Sequence, residues 1–505
     1  MNKKGKILLM TPNLKGMKKG VNRIQPPLGP MIAANVMRQY GHEVFMHDTA
    51  LEDWGNQRPL DDGRGVSIGQ SDEDIEIAIR RYKPDVVGIS ALFSNLMDSA
   101  HNIARIVKKV NPEIKVVLGG NHVSNAASDY LYACDTPDSN MPRRFLDMED
   151  GNINYAMRGE VDFEWPRLAD ALIKGKDISG IEGLVTRNHI NPKPETLDIT
   201  TLPKPARDLV NMDGYFKIGA FHSAKSMSDK VLNIMASRGC PEQCSFCTTP
   251  EMWGQKVRWR NIDDIVEEIN NAIRDYNVGE IQWEDDSLTA NKSRLETLCN
   301  ELEKIGLPWC TPNGTKINYH QESGFKEGGK QLKMYKRMAD SGCYQISLAC
   351  ESADQNILDE VVKKNLRVES IRPAIANAKK AGLIAHTFWI VGYPGETYEQ
   401  IEKTLNFAEG SGADSYSIAI LNPLPGTPIY RKVMKENLWW PGRDGSKMMF
   451  RNSLIKVDGF SNPEEFERFV EEYSRKLNRM AYERNPDKHE GRMRLESLRE
   501  GYHQT

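Results

Sequence analysis

The feature that most constrains the fold of this chain is a repeated alternation of short apolar runs with helix-like segments. In the first part of the sequence, five apolar runs begin at Lys6, Glu43, Val86, Lys115 and Tyr155. Strands that are joined by helices pair in parallel and form a doubly wound sheet, which binds ligands beyond the carboxyl ends of its strands. The pattern predicts an N-terminal Rossmann-like α/β domain over residues 1–177, in which the segment Cys134–Gly151 interrupts the alternation as an insertion.

A second alternating series starts at Val231, after a proline-containing stretch over residues 178–229 that suits a linker. Its six apolar runs cover residues 231–236, 280–283, 309–313, 345–349, 385–391 and 415–421. Six such βα units predict a partial (β/α)6 barrel of the TIM type over residues 230–428, with its chemistry at the carboxyl ends of the strands. The pattern over residues 429–505 is charged and mostly helical.

Three cysteines follow the first strand of the second series. Cys240, Cys244 and Cys247 form a CxxxCxxC pattern, whose three thiolates can hold three irons of a 4Fe-4S cluster and leave the fourth iron open. Zinc is the weaker alternative, because a structural zinc site needs a fourth ligand nearby. Downstream the next cysteine is Cys299, and upstream only His222 is near. Eight unevenly spaced cysteines suit a reducing compartment better than a disulfide framework.

The charge balance and the hydropathy limit the partners. Lys and Arg number 67 and Asp and Glu number 70, so no basic excess indicates binding to a nucleic acid. No uncharged run approaches the roughly 18 apolar residues of a membrane span, and the N-terminus lacks the pattern of a signal peptide. We expect a cytoplasmic protein that acts on a small molecule, with no nucleic acid and no membrane span.

The cysteine spacing, together with the aromatic Phe246, resembles the radical S-adenosylmethionine (radical SAM) superfamily. The first domain is similar to the cobalamin-binding domain that precedes many radical SAM barrels. The residues that carry this second resemblance are Ser90, Leu92, Gly119, Gly120 and Gly159, which follow three predicted strands. Glycines at strand ends let a flat macrocycle approach the backbone closely. The resemblance implies three cofactors, a 4Fe-4S cluster, S-adenosylmethionine and cobalamin; the alternative for the first domain is a fold that binds a nucleotide or nothing.

One departure concerns the cobalt ligand. Cobalamin domains that ligate cobalt from below carry D-x-H-x-x-G in the first βα loop, whereas residues 11–20 here contain no histidine. We therefore expect cobalt without a protein imidazole beneath it. Isolated histidines seldom coordinate a metal, so His101 and His122 are interpreted as surface or lining residues.

The radical SAM resemblance also places residues around S-adenosylmethionine, namely Phe246, Asn313, Glu351, Gly392 and Asn422. Glu284, Asp285 and Asp286 follow the second strand, where the family binds the amino group of S-adenosylmethionine. One carboxylate would suffice to accept hydrogen bonds from this amino group, and the others cap the next segment or act as a general base. The sequence does not show which of the three residues has which role. Glu351 is expected at the ribose, and its alternative is a helix N-terminal carboxylate. The turns at Gly392 and Asn422 have a purely conformational alternative.

Residues 5–430 together resemble the cobalamin-dependent radical SAM enzymes, most of which are methyltransferases. The resemblance implies that a 5′-deoxyadenosyl radical activates the substrate and that methylcobalamin methylates it at an unactivated carbon or at phosphorus. A reducing partner such as flavodoxin or ferredoxin is implied as well. The alternative is an oxidative cyclase or a rearrangement enzyme with the same cofactors and no methyl transfer. A methylthiotransferase is disfavoured, because Cys134 is the only cysteine before Cys240.

Overall fold

The computed structural model describes residues 4–18, 22–60, 65–134, 150–223, 225–445, 448–449 and 451–489. The chain divides into two compact units. The first unit comprises residues 1–220 and two short segments, Glu251–Gly254 and Leu424–Thr427, and the second comprises the rest. Most of the stretch predicted as a linker is thus counted with the first unit, and the predicted domain boundaries stay predictions.

The first unit contains a six-stranded sheet. The strands of this unit are β1 (Lys6–Thr11), β2 (Leu14–Met17), β3 (Glu43–Asp48), β4 (Gln57–Pro59), β5 (Gly65–Ile68), β6 (Val86–Ser90), β7 (Lys115–Gly119), β8 (Tyr155–Met157) and β9 (Leu184–Val185). Its helices are α1 (Leu28–Gln39), α2 (Thr49–Glu52), α3 (Asp72–Tyr82), α4 (Met97–Val110), α5 (Asn121–Cys134), α6 (Glu164–Lys174) and α7 (Met212–Ile218).

The sheet order β3-β1-β6-β7-β8-β9 is that of a doubly wound fold, with β9 added antiparallel at one edge. The run Ile7–Met10 of β1 is buried at every position, as expected for a parallel strand that is covered on both faces. The predicted doubly wound fold is confirmed, and it aligns the carboxyl ends of β6, β7 and β8 along one edge of the sheet.

Two parts of the first unit do not appear in the sequence-based prediction. Strands β2, β5 and β4 form a small antiparallel sheet, and β2 lies in the first βα loop, which follows β1. These strands are short and carry no clear alternation of apolar and polar residues, which explains why they were missed. Helix α5 was missed too, although Val123, Ala126 and Ala127 are buried at helical spacing. The predicted insertion falls mostly on residues 135–149, which lie outside the described residues.

The second unit contains a six-stranded parallel sheet. The strands of this unit are β10 (Val231–Ile234), β11 (Ser237–Arg238), β12 (Arg258–Trp259), β13 (Glu280–Trp283), β14 (Trp309–Thr315), β15 (Cys343–Glu351), β16 (Ile384–Val391) and β17 (Ser415–Ile420). Of these, β11 and β12 form a separate antiparallel pair. The helices that follow along the chain are α8 (Thr249–Trp253), α9 (Ile262–Tyr276), α10 (Lys292–Ile305), α11 (Gly329–Asp340), α12 (Ile371–Lys380), α13 (Tyr398–Glu409), α14 (Pro428–Glu436), α15 (Pro463–Arg484) and α16 (Pro486–His489).

The order β10-β13-β14-β15-β16-β17 follows the chain, so each helix returns the backbone to the next parallel strand. This is the predicted partial barrel, and it is confirmed. The order brings the loops that follow these six strands to one end of the sheet, which is where βα barrels carry their functional residues. A π-helical turn over Ile357–Val362 lies in the connection after β15.

The long helix α15 covers the edge strand β17. The Asn478 side chain accepts a hydrogen bond from Tyr416 N (3.1 Å) and donates one to Tyr416 O (3.0 Å). An exposed strand edge is a template for aggregation, and such contacts satisfy its backbone groups. Asn462 caps the helix and Pro463 occupies its first turn, so the local sequence fixes where α15 starts. Within the described part of the chain, no helix has the length and apolar character needed to span a bilayer.

Candidate active site

The three motif cysteines lie on the loop between β11 and α8, at the carboxyl end of the barrel strands. All three thiols are partly buried, and Cys247 N donates to Cys244 O at 3.0 Å. Burial, with smaller contributions from Glu351, Cys247 and Cys240, raises the pKa of Cys244 to about 12. Such thiols ionise when a metal replaces their protons.

The donors around the cysteines fit an iron–sulfur cluster. Among the described residues, no three His, Cys, Asp or Glu side chains converge on one point as they would around a single metal ion. A cluster takes its thiolates at separate corners, and this loop carries three free thiols. The Ser287 hydroxyl donates to Cys240 Sγ at 3.3 Å, and hydrogen bonds to sulfur adjust the properties of such clusters.

Hydrogen bonds fix the cysteine loop just before the motif and within it. Before the cysteines, the buried Asp285 carboxylate accepts from Ala236 N at 2.9 Å and from the Ser237 hydroxyl at 2.5 Å. Within the motif, Ser245 N donates to Val362 O at 2.9 Å, next to the π-helical turn. The loop is therefore held between β13 and the segment after β15.

The structure separates the three carboxylates that follow β13. Asp285 is occupied by the cysteine loop, and burial raises its pKa to about 7. Asp286 accepts from the Thr249 hydroxyl at 3.0 Å, and burial raises its pKa to about 6. Glu284 Oε2 lies 2.9 Å from His222 Nδ1, whereas its buried Oε1 has no partner among the described residues. Glu284 is thus the carboxylate with a buried acceptor available for a ligand.

Glu351, the last residue of β15, has an unusual backbone and an ionic partner. Its φ of 62° lies in the left-handed region, which costs a non-glycine residue energy and is concentrated at functional sites. Its Oε1 lies 2.7 Å from Lys364 Nζ, and both side chains are buried. Lys364 also donates to Ala349 O at 3.0 Å.

The turn after β16 is shaped by the backbone and by packing. Gly392 has a φ of 84°, and a Cβ added there would lie 2.8 Å from the ring of Phe466. Glu396 Oε2 accepts from Gly392 N at 2.7 Å and from Tyr393 N at 3.1 Å. Burial raises the pKa of Glu396 to about 8. These contacts favour the conformational interpretation of Gly392 and leave its contact with S-adenosylmethionine a prediction.

The other predicted S-adenosylmethionine residues lie on the same set of loops. Phe246 is half-buried, with its ring centroid 6.3 Å from that of the buried Tyr393. Asn313 lies near the end of β14 and is half-buried. Asn422 follows β17 and donates to Ile420 O and to Met449 O, both at 3.2 Å. Its buried Oδ1 has no partner among the described residues, so it is open to a ligand.

The predicted cobalamin residues lie along the carboxyl edge of β6, β7 and β8. Gly120 has a φ of 105°, and a Cβ there would meet Ala91 O at 2.5 Å. A Cβ added to Gly119 would meet no described atom within 4 Å apart from its neighbours, so open space lies above it. Ser90 is half-buried and Leu92 is 51% exposed. The open space at Gly119 leaves room for a flat macrocycle to approach the backbone.

Gly159 lies beyond β8 with a φ of 84°, and its N–H donates to the Ser124 hydroxyl at 3.0 Å.

Sequence reasoning missed the contacts of Lys364, His222 and Tyr393. Lys364 stands in the run Val-Val-Lys-Lys-Asn, where a lysine is typical of a solvated surface. Only the burial of its side chain in the fold distinguishes it from its neighbour.

Two family models match the two halves of this architecture. The Radical SAM superfamily model matches residues 222–408, and the B12 binding domain model matches residues 14–138. The chain belongs to the cobalamin-dependent radical SAM enzymes. The predicted cofactors, a 4Fe-4S cluster, S-adenosylmethionine and cobalamin, are those of the two matched families.

Known relatives extend over most of this radical SAM enzyme. Cytidylyl-2-hydroxyethylphosphonate methyltransferase of Streptomyces wedmorensis is 29% identical over 94% of this chain and 90% of its own length. Anaerobic magnesium-protoporphyrin IX monomethyl ester cyclase of Rubrivivax gelatinosus is 26% identical over 82% of this chain and 70% of its own. The structure of the radical S-adenosylmethionine methyltransferase TsrM from Kitasatospora setae, with cobalamin and a [4Fe-4S] cluster bound, has the same fold. Its TM-score is 0.64 at 16% identity, over 92% of this chain and 85% of that one.

The predicted class, a cobalamin-dependent radical SAM enzyme of the methyltransferase type, is confirmed. The individual site residues stay predictions.

Proposed function

We propose that this enzyme transfers a methyl group to a carbon atom of a small organic substrate, with Cys240, Cys244 and Cys247 as the cluster ligands. The observation that carries the proposal is the placement of three partly buried thiols on the loop after β10 and β11, which hydrogen bonds hold just before the motif and within it. When bound, the cluster supplies the electron that cleaves S-adenosylmethionine and cobalamin supplies the methyl group.

The residues of the chain bind and orient these groups. Asp285 holds the backbone before the cysteines, and its burial excludes water from this end of the loop. Glu284, with one buried and unpaired carboxylate oxygen, is proposed to accept from the amino group of S-adenosylmethionine. Glu351 is proposed to accept from its ribose, and the open surface above Gly119 to receive the corrin ring.

The test uses the full-length enzyme, reconstituted without oxygen with iron, sulfide and hydroxocobalamin. S-adenosylmethionine with a trideuterated methyl group and dithionite are added, and 5′-deoxyadenosine and the product masses are measured. Cytidylyl-2-hydroxyethylphosphonate is the first substrate to test, because the relative named for it spans nearly the whole chain. The proposal requires a product that has gained one deuterated methyl group.

Cys244→Ala is the matched variant for the cluster ligands, and Cys299→Ala is its control, since Cys299 is buried in α10. We expect Cys244→Ala to lose the cluster and all formation of 5′-deoxyadenosine, whereas Cys299→Ala keeps both. Full iron content and turnover in Cys244→Ala would contradict the ligand assignment.

A second candidate function is an oxidative cyclisation without methyl transfer. It is favoured by the cyclase of Rubrivivax gelatinosus, which matches 82% of this chain. The masses separate the two functions, because cyclisation removes hydrogen from the substrate and adds no label. The proposed reducing partner, flavodoxin or ferredoxin, is tested by replacing dithionite with either protein in its reduced form.

A further inference from the structure

A buried ion pair lies beside the cysteine loop, and one of its members, Lys364, has no place in the reaction described so far. Lys364 and Glu351 are each 5% exposed, and their charged atoms lie 2.7 Å apart. Buried ion pairs gain little stability over apolar replacements, because both charges lose their hydration. The pair is therefore better explained by an effect on its surroundings than by stability.

Hydrogen bonds connect the ion pair to the cluster loop. Ser245, next to Cys244, donates from its N–H to Val362 O at 2.9 Å and from its hydroxyl to Val361 O at 2.5 Å. Lys364 follows two residues after Val362, and its Nζ donates to Ala349 O at 3.0 Å. The ammonium is thus fixed to β15 on one side and to the segment that supports the cysteine loop on the other.

The electrostatic coupling to the thiol is mutual. Burial raises the pKa of Cys244, and Lys364 acts against this effect while Glu351 adds to it. Burial lowers the pKa of Lys364, but Glu351 and then Cys244 outweigh it, so that this pKa lies above its usual value. The Glu351 carboxylate has the largest effect that keeps Lys364 an ammonium, and thiolate charge on Cys244 or Cys350 acts in the same direction.

We propose that the Lys364 ammonium stabilises the negative charge of the reduced cluster held by Cys244. The Glu351 carboxylate offsets part of this effect. Reduction adds one electron from the external reductant and takes up no proton in this step. The added negative charge is attracted to the ammonium and repelled by the carboxylate, so the two side chains shift the reduction equilibrium in opposite directions. This inference rests on the proposed cluster site, and it is independent of methyl transfer.

The experiment is an anaerobic redox titration of the reconstituted full-length protein at pH 7 without S-adenosylmethionine, followed by the electron paramagnetic resonance signal of the reduced cluster. Two variants differ only in the ammonium, namely Glu351→Gln and the double variant Glu351→Gln with Lys364→Met. Lys364→Met alone is less informative, because an unpaired buried Glu351 would take up a proton and keep the local charge neutral.

We expect Glu351→Gln to raise the equilibrium constant for reduction about tenfold, which is about 59 mV for one electron, and the double variant to lose this gain. Lys364→Arg keeps the charge and should stay close to the wild type. The control is Lys363→Met, which removes the exposed neighbouring lysine and should leave the potential unchanged.

Equal potentials in Glu351→Gln and in the double variant would overturn the inference, as would a Lys363→Met shift as large as that of the ion-pair variants. If the double variant does not retain a cluster, Glu351→Gln and Lys364→Arg decide: a positive shift in the first and none in the second supports the role, and any other pattern refutes it. Wild-type protein without iron or a cluster signal would overturn the cluster site itself, which distinguishes the two failures.

Discussion

Replacement of Asp285 by alanine tests whether this carboxylate holds the cysteine loop. The buried Asp285 side chain accepts hydrogen bonds from Ala236 N and from the Ser237 hydroxyl. Leaving one buried donor without an acceptor costs about 1–3 kcal/mol, so loss of both contacts should lower the free energy of unfolding by about 2–6 kcal/mol. Since domains are stable by only about 5–15 kcal/mol, this is a large fraction of the total.

The assay is urea unfolding of the metal-free protein together with iron bound per chain after reconstitution. Asp285→Asn keeps one acceptor oxygen and presents an NH2 group to the second donor, so it should cost about half as much, roughly 1–3 kcal/mol. Asp286→Asn is the control, because Asp286 accepts from the Thr249 hydroxyl instead. An unchanged unfolding midpoint and an unchanged iron content in Asp285→Ala would refute the reasoning.

Three further predictions concern other parts of the site. Gly392→Ala should destabilise the protein to urea by more than the roughly 1 kcal/mol expected for Gly412→Ala. Both have positive φ, but only a Cβ at Gly392 would meet Phe466, and equal losses would contradict this packing. Burial raises the pKa of Glu396 to about 8, so the folded state holds this proton, and the free energy of unfolding falls as the pH rises from about 4.5 through 8. Glu396→Gln should flatten this fall in unfolding experiments. An unchanged slope would exclude Glu396 as its source. Gly119→Ala should leave folding intact and weaken hydroxocobalamin binding in spectroscopic titration, because the added methyl occupies the open surface; wild-type affinity would place the corrin elsewhere.

The periodicity of the sequence predicted both sheets because parallel strands are continuous apolar runs. The segments starting at Lys6, Val86, Glu280 and Ser415 become strands at those residues. Short strands such as Leu14–Met17 were missed because their pairing partner, Gly65–Ile68, lies about 50 residues away and supplies what the local pattern lacks.

For the site, the cysteine spacing predicted a cluster loop, because three thiolates at fixed intervals have few other uses. The roles of Glu284, Asp285 and Asp286 could not be separated in this way. Three consecutive carboxylates look equivalent along a chain, and they differ only in which buried donor each one meets after folding.

What the sequence alone determined is therefore the two sheets and the three cysteines of the cluster motif, because strand periodicity and ligand spacing are local properties of the chain; the other two cofactors followed from the family resemblance. The tertiary structure decided that Asp285 supports a loop and that Lys364, unlike the adjacent Lys363, is a buried charge beside Cys244. The physical reason is that burial and hydrogen bonding depend on residues far apart in the chain. Both change the free energy of a charged side chain, and therefore its role, by amounts that the residue type alone does not give.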